Sequence, residues 1–90
     1  MRIKDNFVLQ AIADEFIVVP IADDAERLHG IIKLNETGAF LWKYLTEHSV
    51  SKDELAHVLQ AQYGIQIEKA IVDTDDFINQ IDGLGCIEKE

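Results

Sequence analysis

The chain has few cysteines, prolines and basic residues: one Cys, one Pro and 8 Lys+Arg among 90 residues. One Cys cannot form an internal disulfide, so the fold must depend on its apolar residues, 48% of the total. The start, MRIKDNFVLQ, is charged where a signal peptide is apolar. No apolar run approaches the ~20 residues of a membrane span. We therefore expect a cytoplasmic protein, with residues 1–90 forming a single domain.

The scarcity of basic residues bears on the partners. Against 8 Lys+Arg stand 17 Asp+Glu, giving a net charge of −9, and residues 46–90 contribute −7 of it. Nucleic-acid binding depends on clustered Lys and Arg, so this balance argues against DNA or RNA. Cationic or neutral partners are expected instead. Acidity that serves only solubility is the open alternative.

Spacings that hold metals or assemble catalytic groups are also missing. The three His and the Cys are scattered, at His29, His48, His57 and Cys86. No two of them have the i, i+3 or i, i+4 spacing that joins metal ligands on a helix, and no Gly-rich phosphate loop occurs. Ser49 and Ser51 lie in HSVSKDE rather than in the Asp-Ser-Leu setting of a carrier protein. We expect no catalysis, no metal and no cofactor, with Cys86 a small buried group.

Val, Ile and Phe dominate three segments of the first third, which predicts strands at residues 7–13, 15–21 and 28–34. The first two meet at Asp14 and Glu15, where a tight turn is expected. Pro20 has no N–H to donate and should lie at a strand end or edge. Alternation in the third segment places Leu28, Gly30, Ile32 and Leu34 on an apolar face and His29, Ile31 and Lys33 on a mixed one.

From Asn35 the apolar period changes to that of a helix. Asn35 is the expected N-cap of a helix over residues 36–46. Ser51 and Glu54 have capping-box spacing for a second helix, which Gly64 ends. A third helix is expected over residues 68–82. The predicted buried faces comprise Gly38, Leu41, Trp42 and Leu45 in the first helix, Leu55, Val58, Leu59 and Gln62 in the second, and Ile67, Ala70, Ile71, Thr74, Ile78 and Ile81 in the third, with Phe77 at the margin.

This element order predicts an α+β fold, a three-stranded antiparallel sheet followed by a three-helix, winged-helix-like bundle. The third strand would be an edge of the sheet, and an open edge beside a helix can capture a peptide as an added strand. The candidate binding residues of that strand are Leu28, His29, Gly30, Ile31, Ile32, Lys33 and Leu34. An open edge could also pair with a second copy, giving a homodimer.

One stripe of the third helix would face this edge. It comprises Asp73, Asp76 and Gln80, with Val72 nearby, and suits a basic or polar side chain of a guest peptide. The alternative is a solvated helix face with a Lys69–Asp73 pair worth about 0.2–0.5 kcal/mol.

Three segments carry a family resemblance: GIIKLNETGAFLWKYL, VSKDELAHVLQAQYGI, and the Asp73, Phe77, Ile81 spacing followed by GLGCIE. Over residues 7–87 the chain resembles the PqqD-like proteins, small recognition domains for ribosomally made precursor peptides. The resemblance implies a non-catalytic peptide chaperone that binds a precursor's leader as a strand beside the third strand and against the third helix, near Val72, Asp73, Asp76 and Gln80. It also implies a partner enzyme, commonly a radical S-adenosylmethionine protein.

The segment before the third strand departs from the branch that serves pyrroloquinoline quinone synthesis. That branch has a Pro-Glu-Gly turn there, whereas this chain reads PIADDAERLHG. The departure favours another peptide product, made with a radical maturase or a lasso-type leader peptidase. A regulatory winged-helix module that binds a protein, or DNA, is the other hypothesis. The predicted third helix carries five acidic residues against Lys69 alone, which disfavours DNA.

Overall fold

A computed structural model describes residues 1–5, 7–21, 32–83 and 85–88. Its elements, in chain order, are β1 (Arg2–Ile3), β2 (Phe7–Ile12), β3 (Glu15–Pro20), β4 (Ile32–Leu34), α1 (Glu36–Glu47), α2 (Lys52–Tyr63), α3 (Ile67–Asp82) and β5 (Ile87–Glu88). The predicted α+β fold, a three-stranded antiparallel sheet followed by three helices, is confirmed.

The sheet has the strand order β2-β3-β4, and both pairings are antiparallel. Ile12 pairs with Glu15, so the turn consists of Ala13 and Asp14 and lies one residue earlier than predicted. Ala13 adopts φ 54 because a two-residue hairpin turn needs a left-handed residue to match the twist of its strands. Of the predicted third strand, residues 32–34 form β4, and the remainder lies outside the described residues.

A second, two-stranded sheet joins the two ends of the described chain. β1 pairs antiparallel with β5, and the Lys4 amide donates to the Cys86 carbonyl at 2.9 Å. The extended tail after α3 was predicted, but β1 was not, because two residues are too few to show a period. Cys86 is fully buried in the core beside Ile3 and Ile87, as expected of a small apolar group.

The helix ends follow the capping residues of the sequence. Asn35 accepts the Gly38 amide at 2.8 Å, and Ser51 and Glu54 form the predicted capping box. Gly64 ends α2 in the left-handed conformation, with φ 64. α1 extends one residue beyond its predicted end and α3 begins one residue earlier, since neither boundary has a strong breaker.

The core lies between the sheet and the helices, and its largest fully buried side chains include Trp42, Leu41, Leu45, Leu55, Leu59 and Ile81. Three predictions for the helix faces were wrong. Phe77 is buried rather than marginal, whereas Ile71 is 44% exposed and Gln62 is exposed. The buried residues of α3 recur at spacings of four, three and four, which centres its buried face on Phe77 and turns Ile71 outward. Gln62 lies in the last turn of α2, beyond the buried Leu59.

Candidate functional site

The backbone direction of β4 follows from the hairpin register. Residues that close a two-residue turn exchange backbone hydrogen bonds, and pairs along an antiparallel ladder alternate between bonded and non-bonded. Counting from the Ile12–Glu15 pair makes Ile17–Lys33 a non-bonded pair. The N–H and C=O of Lys33 therefore point away from β3. Within the described sheet no strand pairs with that side of β4.

A side-chain contact supports this orientation independently. The Gln80 amide of α3 donates from Nε2 to the Lys33 carbonyl oxygen at 3.1 Å. The Lys33 side chain takes another direction, because its Nζ lies 2.7 Å from Glu15 Oε1 on the sheet face remote from the core. Lys33 thus offers its backbone to α3 while its ammonium group is held by β3.

An open cleft of about 260 Å³ lies between the β4 edge, the first turn of α1 and one face of α3. Its lining residues are Lys33, Asn35, Thr37, Gly38, Asp73, Asp76, Phe77 and Gln80. Four candidates from the sequence, Lys33, Asp73, Asp76 and Gln80, are therefore brought together around one cavity. A strand edge and a cavity that can take side chains are the two parts that peptide capture by strand addition uses.

The other candidate residues contribute differently. Ile32 and Leu34 are each 5% exposed, so their side chains belong to the core and their backbone alone borders the edge. Val72 is 56% exposed and does not line the cleft. The remaining four candidates, Leu28, His29, Gly30 and Ile31, lie outside the described residues.

Sequence reasoning assigned only structural roles to Asn35, Gly38 and Phe77, and none to Thr37. A Cβ on Gly38 would lie 3.0 Å from Asn35 Oδ1 and 3.4 Å from Leu34 Cβ, so glycine permits the close approach of α1 to β4. Thr37 donates its hydroxyl to Asn35 Oδ1 at 3.0 Å. The signal that could have found these residues is positional, because a helix that starts directly after an edge strand must put its first turn at the end of that edge.

The charged side chains around the cleft differ in whether they form ion pairs. Asp73 Oδ2 lies 3.3 Å from Lys69 Nζ, the pair predicted from the sequence, and the Lys33 ammonium is directed to Glu15. Asp76 makes no ion pair with any of the described residues. The cleft therefore presents a carboxylate that no described basic residue neutralises, which favours a cationic or hydrogen-bond-donating side chain.

The described Cys and His residues lie outside the lining of the cleft. No group of three or more His, Cys, Asp or Glu side chains that could hold a metal ion occurs among the described residues. Burial raises the pKa of the Cys86 thiol to about 11, and nearby Lys4 lowers it to a smaller extent, so the thiol is neutral at pH 7. His57 is exposed, and its Nδ1 lies 2.8 Å from the Asp53 carbonyl oxygen. None of the described helices has the length and hydropathy that crossing a bilayer requires.

Comparison with known proteins places the fold. A solved structure described as TbiB1 in complex with the TbiA(beta) leader peptide is similar with a TM-score of 0.74 and 21% identity, covering 100% of this chain and 98% of the other. Another, described as lasso peptide synthetase B1 complexed with the leader peptide, gives 0.70 and 16%, covering 98% and 96%. None of the curated proteins matches the sequence. The model of the family described as coenzyme PQQ synthesis protein D matches residues 8–87, and the chain therefore belongs to the PqqD family.

Proposed function

We propose that this protein binds the leader segment of a ribosomally synthesised precursor peptide as a strand added to β4, beside α3. The observation that carries the proposal is the outward backbone of Lys33, which borders a cleft on an edge that no described strand pairs with. Membership of the PqqD family supports it, as do two similar structures described as complexes with leader peptides.

The register gives the proposal a geometry. In an antiparallel guest strand, the residue opposite Lys33 would exchange two backbone hydrogen bonds with it and, like Lys33, direct its side chain to the sheet face remote from the core. The guest residues on either side would direct theirs to the opposite face, toward α3 and the cleft, because strand side chains alternate. Selectivity should therefore depend on two leader positions two residues apart. By prediction, the same edge continues over Leu28, His29, Gly30 and Ile31.

One of those two leader side chains should be basic or a hydrogen-bond donor. It would approach Asp76, which has no ion pair among the described residues, and Asp73, which already forms an ion pair with Lys69. Charge attraction near an exposed surface contributes modestly to affinity but strongly to the choice between partners. Val72 and the aliphatic part of the Gln80 side chain complete the proposed contact surface on α3.

The bound precursor would be presented to an enzyme that modifies it, either a radical S-adenosylmethionine maturase or a leader peptidase. In this proposal the protein performs no catalysis, binds no cofactor and acts in the cytoplasm. The sequence PIADDAERLHG, in place of a Pro-Glu-Gly turn, favours a product other than pyrroloquinoline quinone.

Calorimetry with a candidate precursor peptide, sought among the genes that neighbour this chain's gene, tests the proposal. The full precursor and its isolated leader should bind with the same affinity, and the precursor without its leader should give no heat of binding. Equal heats with and without the leader would refute leader recognition.

A further inference from the structure

Gln80 makes a contact that bears directly on peptide capture. Its Nε2 donates at 3.1 Å to the Lys33 carbonyl, a group that the ladder register directs away from β3. Strand addition needs that carbonyl, because the N–H of the guest residue opposite Lys33 would donate to it. Gln80 therefore occupies one of the two backbone positions that Lys33 offers to a guest.

We propose that the Gln80 carboxamide is an intramolecular placeholder for the guest strand, holding the Lys33 carbonyl in the free protein and giving it up when a leader binds. The inference rests on the proposed function and adds a minimum strength of interaction that a peptide must reach to bind. A peptide must replace an existing hydrogen bond, so a weakly complementary chain is rejected.

The surroundings of Gln80 allow it to act in this way. Its side chain is exposed and lines the open cleft, so it can move to solvent without disturbing the core. It projects from α3, whose neighbouring residues Phe77 and Ile81 are 4% and 0% exposed and fix the helix in place. The placeholder is thus an exposed side chain on a well-packed helix, one turn away from the carboxylate of Asp76.

The contact also has a consequence in the absence of peptide. An unpaired strand edge can pair with the same edge of a second copy, and natural proteins block such edges with side chains. Gln80 covers the Lys33 carbonyl against this pairing as well. A guest peptide differs from a second copy in that it can fill the cleft while it displaces Gln80.

Gln80→Met tests the proposal, because methionine keeps the length of the side chain but has no N–H donor. Gln62→Met is the matched control, since Gln62 is exposed on α2 and does not line the cleft. Calorimetry uses a synthetic peptide with the leader sequence of the candidate precursor. Loss of one competing hydrogen bond should tighten binding to Gln80→Met by about two- to tenfold and leave Gln62→Met equal to the parent protein.

NMR of the side-chain carboxamides supplies a readout that is independent of affinity. In the free protein, the Gln80 NH₂ protons should exchange with solvent more slowly than those of Gln62. On saturation with the leader, the Gln80 protons should exchange as fast as those of Gln62. Equal exchange in the free protein, or protection that persists at saturation, would overturn the placeholder.

The outcomes separate the two proposals. Leader binding to the parent protein with equal or weaker binding to Gln80→Met overturns the placeholder and leaves leader recognition standing. No binding of the leader to the parent protein refutes the proposed function, and the placeholder with it.

Discussion

The Lys33→Pro variant should keep the fold but lose the capacity to bind the leader peptide. The Lys33 N–H faces away from β3, so Lys33→Pro removes no hydrogen bond of the described sheet. Edge positions with an outward N–H are where sheets tolerate proline. Leu34→Pro provides the contrast, because the Leu34 N–H faces β3 and its side chain is 5% exposed.

The Lys33→Ala variant separates the effect of losing the Lys33 side chain from the effect of losing its backbone N–H. That variant loses the ion pair with Glu15, whose side chain is 50% exposed against 67% for Lys33, and exposed pairs contribute at most about 1 kcal/mol. Lys33→Pro loses the same pair, so the two variants should unfold at similar denaturant concentrations. Leu34→Pro should be destabilised by roughly a further 1–3 kcal/mol, because it removes a ladder hydrogen bond and leaves the carbonyl of the paired Phe16 without its donor. Without the Lys33 N–H, a bound guest carbonyl lacks a partner, which costs about 1–3 kcal/mol, or roughly 5- to 150-fold in affinity.

The assays are urea unfolding followed by circular dichroism, and calorimetry with the leader peptide. Lys33→Ala should bind close to the parent protein, and Lys33→Pro should bind far more weakly. If Lys33→Pro stays folded and binds within twofold of Lys33→Ala, the leader does not pair with the outward backbone of β4.

Three further perturbations test the site, the capping and the core. Asp76→Lys should weaken leader binding in calorimetry while shifting the free energy of unfolding by less than about 0.5 kcal/mol. Glu47→Lys makes the same charge change away from the cleft and should leave leader binding unchanged. Equal weakening by both variants would mean that only net charge matters. Ser51→Ala removes the hydroxyl that accepts the Glu54 amide at 3.2 Å and should cost about 1 kcal/mol in urea unfolding; an unchanged midpoint would show that the capping box contributes nothing. Burial raises the pKa of Cys86 from 9.0 to about 11, so folding favours the neutral thiol, and stability should decline as pH rises from about 9 toward 11; a Cys86→Ala variant that declines equally would assign the loss to other groups.

Local signals in the sequence predicted most of the fold. Asn35, Ser51 and Gly64 mark helix ends through their own backbone chemistry, and the structure has all three where they were expected. β1 was missed because its pairing with β5 joins residues far apart in the chain, which no local period reveals. Ile71 was misplaced because its exposure depends on how α3 is turned against its neighbours rather than on the helix's own pattern.

The candidate site was predictable in outline but not in its contacts. Asp73, Asp76 and Gln80 follow from helix spacing, and Lys33 follows from its place on the edge strand. The hydrogen bond between Gln80 and the Lys33 carbonyl spans 47 positions and depends on the register between β3 and β4, which the sequence alone does not give. Val72 was included for its nearness on the helical wheel, yet it lies outside the cleft lining.

Backbone amide exchange at β4 tests strand addition most directly. The Lys33 N–H points away from β3, whereas those of Ile32 and Leu34 face it. With the leader bound, the Lys33 amide should exchange much more slowly than in the free protein, and the Ile32 and Leu34 amides, already bonded, should change less. A leader that binds tightly and protects α3 while leaving Lys33 exchange unchanged would contradict capture on the β4 edge.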